Sequence, residues 1–264
     1  MARFLAVEET EQNLLRVRQL TLGFGGVTAL SEVDLDVVTG DICGLVGPNG
    51  AGKTSLFNCI SGYYRPSAGS IEVAGTNVLE AAPRSMVKLG IARTFQQPTL
   101  QPDRTLLDNV LLGGHSKLSG NALSYLLALP KTRREERALS ARAGELLAYL
   151  GVKHPAQTPA GDLPYGSQKL LEMARALLSE PRLLLLDEPA SGLAHSEVDQ
   201  LGEVIKMIRT DLDVTVVVVE HHMGLISAIT DHVVALVTGK KVAEGTAREV
   251  QNDPVVISAY LGAA

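Results

Sequence analysis

Residues 42–60 read ICGLVGPNGAGKTSLFNCI. An apolar stretch of strand length runs into Gly47-Pro48-Asn49-Gly50-Ala51-Gly52-Lys53-Thr54, which fits GxxxxGK[ST], and an apolar-periodic helix begins near Lys53. Strand, glycine-rich loop and helix in that order constrain the chain to an α/β unit built around a phosphate. Gly50 and Gly52 let the backbone curl so that successive N–H groups point inward. The helix start adds its partial positive charge. Lys53 would reach the β- and γ-phosphates of a nucleotide, and the Thr54 hydroxyl would bind Mg²⁺. Gly47, Pro48, Asn49, Ala51 and Ser55 complete the set of candidate nucleotide contacts. The competing reading is an ordinary glycine-rich strand–helix turn.

A second stretch, PRLLLLDEP, places Asp187 and Glu188 at the end of a short buried strand. Adjacent acids at a strand tip repel unless a cation or a reaction needs them. Beside a phosphate loop, Asp187 would hold Mg²⁺ and Glu188 would polarise an attacking water. VVVVEHHM ends another buried strand on His221 and His222. They read either as surface turn residues or, for His221, as a hydrogen-bond partner of the γ-phosphate at a neighbouring strand tip. IARTFQQP supplies Gln96, a side chain able to orient water or Mg²⁺. In LGFGGVTAL, Phe24 sits in a glycine-flanked turn, to stack on a base or to fill a core.

DLPYGSQKLLEMARALLSE, residues 162–180, opens on a turn and continues as a helix with Leu170, Ala174, Leu177 and Leu178 on one apolar face. Its start has an anion-binding helix end, and Gly166 permits close approach of another surface. No apolar strand precedes it and no lysine follows at the right place, so it cannot cradle a nucleotide alone.

Elsewhere the chain alternates. LLRVRQLTLGF, VDLDVV and SIEVAG read as strands around the phosphate loop. Helical patterns dominate residues 98–163, where Leu139, Ala143, Leu146, Leu147 and Leu150 share a face. LLLLD and VTVVVVE flank SEVDQLGEVIKMIR, whose Val198, Leu201, Ile205 and Ile208 point inward. Fully apolar strands separated by helices mean a parallel sheet covered on both faces. HVVALVTGKKVAEG reads as a hairpin, and DPVVISAYLGAA as a closing helix. With 264 residues, 45% of them hydrophobic, the chain can bury a sizeable core. A net charge of −5 leaves no basic footprint for nucleic acid. Cys43 and Cys59 fit no metal spacing and read as buried free thiols. The start, MARFLAVEETEQ, has no signal-peptide pattern, and no apolar run is long enough to span a bilayer. A soluble cytoplasmic chain is expected, with KLSGNALSYLLALP (117–130) a loop or peripheral helix.

In order, these pieces resemble the ATP-binding subunit of ABC transporters: an aromatic loop at Phe24, the phosphate loop at 47–54, a glutamine loop at Gln96, a helical subdomain, the signature LPYGSQ, LLLLDEP, the SGLA loop and a switch histidine, His221. The resemblance runs from about Leu15 to Gly262. GFGGVTAL, IARTFQ, the LPYG signature, VVEHHM and PVVISAYLG are most similar to the "G-type" subunit of branched-chain amino-acid importers.

The resemblance implies an α/β P-loop NTPase core with a mixed sheet, an N-terminal antiparallel β-subdomain and an inserted α-helical subdomain. Residues 1–97 and 164–264 would form the catalytic core and 98–163 the helical subdomain. It implies ATP and Mg²⁺ as ligands, with Thr54, Asp187 and Gln96 at the metal. It also implies a head-to-tail homodimer or heterodimer in which Gly166 and Ser167 of one chain face the γ-phosphate held by the other. Two membrane-spanning permease subunits and an extracytoplasmic solute-binding protein would complete the system, with this chain peripheral at the cytoplasmic face of the inner membrane and no nucleic acid bound. QPTLQPDRTLLDNVLL reads as the permease docking edge or as plain core packing. Against the common signature LSGGQ, Pro164 replaces the serine and Ser167 the final glutamine; Ala194 stands where Asp or Asn is usual, and His222 where Asp often follows the switch histidine. Alternative readings are another cargo (urea or amides, aromatic acids, lipopolysaccharide) or a soluble ABC ATPase acting on DNA or ribosomes.

Overall fold

The computed structural model describes residues 13–117 and 130–261; the signal-peptide reading and the stretch 118–129 lie outside the described residues. Two sheets organise the chain. The first is antiparallel, in the order β2-β1-β4-β5: β1 (Asn13–Phe24), β2 (Val27–Val38), β4 (Ala68–Val73) and the short β5 (Thr76–Asn77). The second has six strands in the order β10-β9-β3-β8-β7-β6. β3 (Ile42–Val46), β6 (Ile91–Arg93), β7 (Leu183–Asp187), β8 (Thr215–Val219) and β9 (His232–Val237) are parallel, and β10 (Lys240–Gly245) closes one edge as the antiparallel arm of a hairpin.

The continuous apolar runs of β3, β7 and β8 are buried along their whole length, as a doubly covered sheet requires. Because strand side chains alternate, the same strands feed two cores. Leu184, Leu186, Val216 and Val218 join one; Leu183, Leu185, Val217 and Val219 join the other. The second core also takes Leu15, Val17 and Leu20 of β1, together with Leu56 and Phe57 of α1 (Lys53–Ile60). Cys43 and Cys59 lie in this core as free thiols, and burial pushes both up, Cys59 to about 11.

The other face carries the remaining helices. Between β6 and β7 come α2 (Leu106–Leu111), a 3₁₀ turn over Leu112–Lys117, α3 (Pro130–Tyr149) and α4 (Tyr165–Leu177). Ala143, Leu146, Leu147 and Leu150 are buried as the spacing predicts, with Leu139 partly buried beside them. Of the expected stripe of α4, Ala174, Leu177 and Leu178 are buried and Leu170 only partly; Leu171 and Met173 are buried too, and Lys169 and Glu172 are enclosed as well. In α5 (His195–Leu212), Val198, Leu201, Ile205 and Ile208 face inward. Then α6 (Met223–Ile229), α7 (Ala247–Gln251) and α8 (Pro254–Leu261) complete the described chain. Parallel strands end at one edge of the sheet. Val46, Asp187, Val219 and Arg93 terminate adjacent strands there, so the loops that follow converge.

Candidate functional site

The loop from β3 to α1 holds three glycines at positive φ: Gly47 (147°), Gly50 (79°) and Gly52 (101°). Two of them are also close approaches. A Cβ on Gly47 would stand 2.1 Å from the Leu236 carbonyl oxygen, and one on Gly52 2.7 Å from that of Ala29. The loop, from Asn49 to Ser55, wraps a cavity of about 180 Å³ that Ala29 and Glu188 help to line. Lys53 is the first residue of α1, and its ammonium donates to the carbonyls of Gly47 (2.6 Å) and Pro48 (3.0 Å), the loop's own opening residues. Burial lowers the Lys53 pKa, and Glu188 and Asp187 pull it back up.

The two acids at the β7 tip diverge. Asp187 is 5% exposed and paired with Arg93 at 2.7 Å. Glu188 turns into a left-handed backbone (φ 46°), which aims its side chain along the phosphate loop instead of into the core. Its Oε2 accepts from the Gln96 amide at 2.7 Å and lies 4.0 Å from Nδ1 of His221. Lys53, Gln96, Glu188 and His221, drawn from four separate stretches of chain, therefore meet at one end of the sheet. A hydroxyl (Thr54), a carboxylate (Asp187) and an amide carbonyl (Gln96) are hard oxygen donors, and such a set fits Mg²⁺. Phe24 is 47% exposed at the end of β1, edge-on to Tyr64 with ring centroids 5.1 Å apart; it is not a core residue.

Gly166 and Ser167 stand apart from this cluster. They line a different cavity with Leu193 and Glu197. Pro164 provides no side-chain cap to α4, and no acid occupies its first turn. His222, by contrast, does what a capping aspartate would: Nδ1 accepts from the Leu225 N–H at 3.1 Å at the start of α6.

Four residues act here that the sequence patterns do not single out. Glu220, 1% exposed, accepts from the N–H groups of Ala190 (2.7 Å), His221 (3.0 Å) and His222 (3.2 Å), so one carboxylate fixes both the DEPA turn and the histidine turn. An acid closing the run VVVV is the one signal of it. Lys169 donates to the Gln96 carbonyl, and Glu172 accepts from the Phe95 and Thr99 N–H groups, tying α4 to the glutamine segment. Burial lowers Lys169 and raises Glu172. Tyr260 of α8 accepts from the Gly47 N–H at 3.0 Å.

Comparison with known proteins accords with this arrangement. The family profile described as "ABC transporter" matches residues 30–191, and one described as "Branched-chain amino acid ATP-binding cassette transporter" matches residues 240–264. The chain is 39% identical to the high-affinity branched-chain amino acid transport ATP-binding protein BraF of Pseudomonas aeruginosa, over 95% of this chain and 98% of that one. It is 38% identical to LivG of Salmonella typhimurium, over 96% and 99%, and 33% identical to a probable LivG of Archaeoglobus fulgidus, over 95% and 96%. Among solved structures, the ADP conformation of MJ1267, an ATP-binding cassette of an ABC transporter, superposes with a TM-score of 0.82 at 29% identity, covering 95% of this chain and 99% of that one. A phosphate loop at one strand tip, paired acids at another, a matching family profile and relatives aligned nearly end to end lead to one assignment: the chain belongs to the ATP-binding ATPase subunits of ABC transporters.

Proposed function

We propose that this chain powers an importer of branched-chain or related amino acids as a peripheral subunit at the cytoplasmic face of the membrane, paired head to tail with a second copy or a similar chain. The observation that carries the reading is Glu188, which both lines the phosphate-loop cavity and accepts from Gln96 at 2.7 Å. That contact supports a role for Glu188 as the carboxylate that takes a proton from water attacking a γ-phosphate. The loop N–H groups and Lys53 bind the phosphates of ATP, and Phe24 offers its exposed ring to the base. Thr54, Asp187 and Gln96 would hold the Mg²⁺ that accompanies ATP, which would supply charge neutralisation on the phosphates. Gln96 orients the water, Glu188 accepts its proton, and His221 donates to the γ-phosphate.

The α4 start is uncapped within its own chain, so Gly166 and Ser167 have backbone donors for a phosphate that another chain holds. On this reading residues 98–163 form a helical subdomain that swings against the core, 1–97 and 164–264. Through Lys169 and Glu172 the glutamine segment at the border of that subdomain is held to α4 of the core.

The permease surface is a groove of about 350 Å³ between core and helical insertion, lined by Tyr63, Met86, Phe95, Leu112 and Arg175. Tyr63 and Leu112 are 59% and 45% exposed there, apolar groups that a docked permease helix would cover. The cargo reading rests on the BraF and LivG relatives and on the match at residues 240–264.

The experiment that tests this is purification of the tagged chain from native membranes in mild detergent, followed by transport with the partners it brings. Two multi-span proteins, a second ATPase and ATP-dependent uptake of leucine, isoleucine or valine are expected. Uptake of a solute of another class would replace the cargo, and a nucleic-acid or ribosomal partner would end the transporter reading.

A further inference from the structure

Arg93 closes β6 with a side chain only 6% exposed, and its guanidinium hydrogen bonds join the tip of β7 to the end of α1. Nη2 donates to Asp187 Oδ2 at 2.7 Å. Nη1 donates to Asn58 Oδ1 at 2.7 Å and to Ser61 Oγ at 2.9 Å, both at the far end of α1, the helix that begins with Lys53 and Thr54. The guanidinium carbon sits 5.1 Å from the Phe95 ring centroid and 5.5 Å from that of Phe57, so its plane is gripped as well.

A buried carboxylate is costly without a partner of opposite charge, and a monodentate partner alone leaves it free to rotate. Here the single bond to Asp187 comes from a donor that is itself held at Asn58 and Ser61, which a planar five-donor fork allows and a lysine ammonium does not match. The bond takes Oδ2, so Oδ1 is the oxygen that Asp187 has to offer a cation. From this we infer that Arg93 is the positioning residue of the divalent-cation site: it anchors Asp187 to the C-terminal end of α1 and so sets the carboxylate against the Thr54 hydroxyl at the other end of the same helix. The inference rests on the nucleotide site proposed above and assigns a role that the sequence motifs give to no residue.

The test uses the full chain with ADP and Mn²⁺ as the probe, with the dissociation constant read from the free-Mn²⁺ paramagnetic resonance signal. Partners that orient a metal ligand from behind are each worth about 10- to 100-fold in metal affinity. Arg93→Lys is therefore expected to weaken Mn²⁺ binding by about 10-fold or more, with ADP affinity measured in EDTA unchanged. Asn58→Ala leaves both charges in place and removes one anchor; it is expected to weaken Mn²⁺ in the same direction by a smaller factor, and it carries the test if Arg93→Lys does not fold. Mn²⁺ affinity equal to wild type in the folded variants would overturn the inference while leaving the nucleotide site standing. Failure of the wild-type chain to bind ADP through Lys53 would overturn the site and the inference together.

Discussion

At Glu188 the backbone holds φ 46° in a residue that carries a Cβ, a conformation that costs about 1 kcal/mol or more and persists only where its surroundings enforce it. The surroundings here are the Glu188 N–H bonded to the Val219 carbonyl at 2.9 Å and the side chain bonded to Gln96. Strain at that residue is the structural reason two adjacent acids can part, Asp187 inward to Arg93 and Glu188 outward to the phosphate loop. Glu188→Gln keeps the backbone, the bulk and a hydrogen bond to Gln96 but removes the base. Turnover should fall by about 10²- to 10⁴-fold with ATP affinity unchanged, as read by phosphate release beside equilibrium binding of a fluorescent ATP analogue. Turnover near the wild-type rate would transfer the base to another group. The same scale explains one departure from the family pattern: His222 loses an aspartate but keeps its capping bond, because an imidazole Nδ1 reaches the Leu225 N–H as a carboxylate would.

At the scale of elements, helix starts differ in how they are finished. Thr246 caps α7 with a reciprocal bond to Glu249. α5 begins on Ala194 followed three residues later by Glu197, whose carboxylate accepts from the Ala194 N–H at 2.8 Å, so one half of a capping box is present and the N-cap acceptor is missing. Ala194→Ser would complete it and should stabilise the chain by about 1 kcal/mol, raising its midpoint of thermal unfolding by about 2–4 °C. An unchanged or lower midpoint in a calorimetric scan would show that this loop is shaped by something other than its cap. What sequence alone reveals divides along the same line. The phosphate loop, the DE pair, α5 and the apolar strands were legible because each is a local pattern whose physics sits within a few residues. Arg93 pairs with a residue 94 positions away, Glu220 with one 30 away and Tyr260 with one 213 away, so their roles exist only once the sheet has brought strand ends together. Phe24 shows the limit from the other side: its local sequence suits a core or a surface ring equally, and only burial in the fold separates them.

At the scale of the molecule, the parallel sheet brings Lys53, Gln96, Glu188 and His221 to one edge, while Gly166 lines a different cavity. A Cβ at Gly166 would lie 2.6 Å from Glu197 Oε1, so Gly166→Asp sets one carboxylate against another at the helix start and spoils it for an anion without touching the phosphate loop. Lys53→Ala does the reverse, disabling the loop and leaving the signature whole. Each variant alone should be inactive. In a head-to-tail dimer the two defects are complementary: a mixed pair places the intact loop of one chain against the intact signature of the other, and both lesions fall together in the second site. Mixing the purified variants should therefore restore ATPase activity in proportion to the heterodimers formed, measured by phosphate release across a titration of one chain with the other. A chain that hydrolyses ATP by itself has no such route, because every copy in the mixture still carries a lesion. Activity that stays absent at every ratio, with both variants folded by circular dichroism, would rule out a site shared between two copies of this chain.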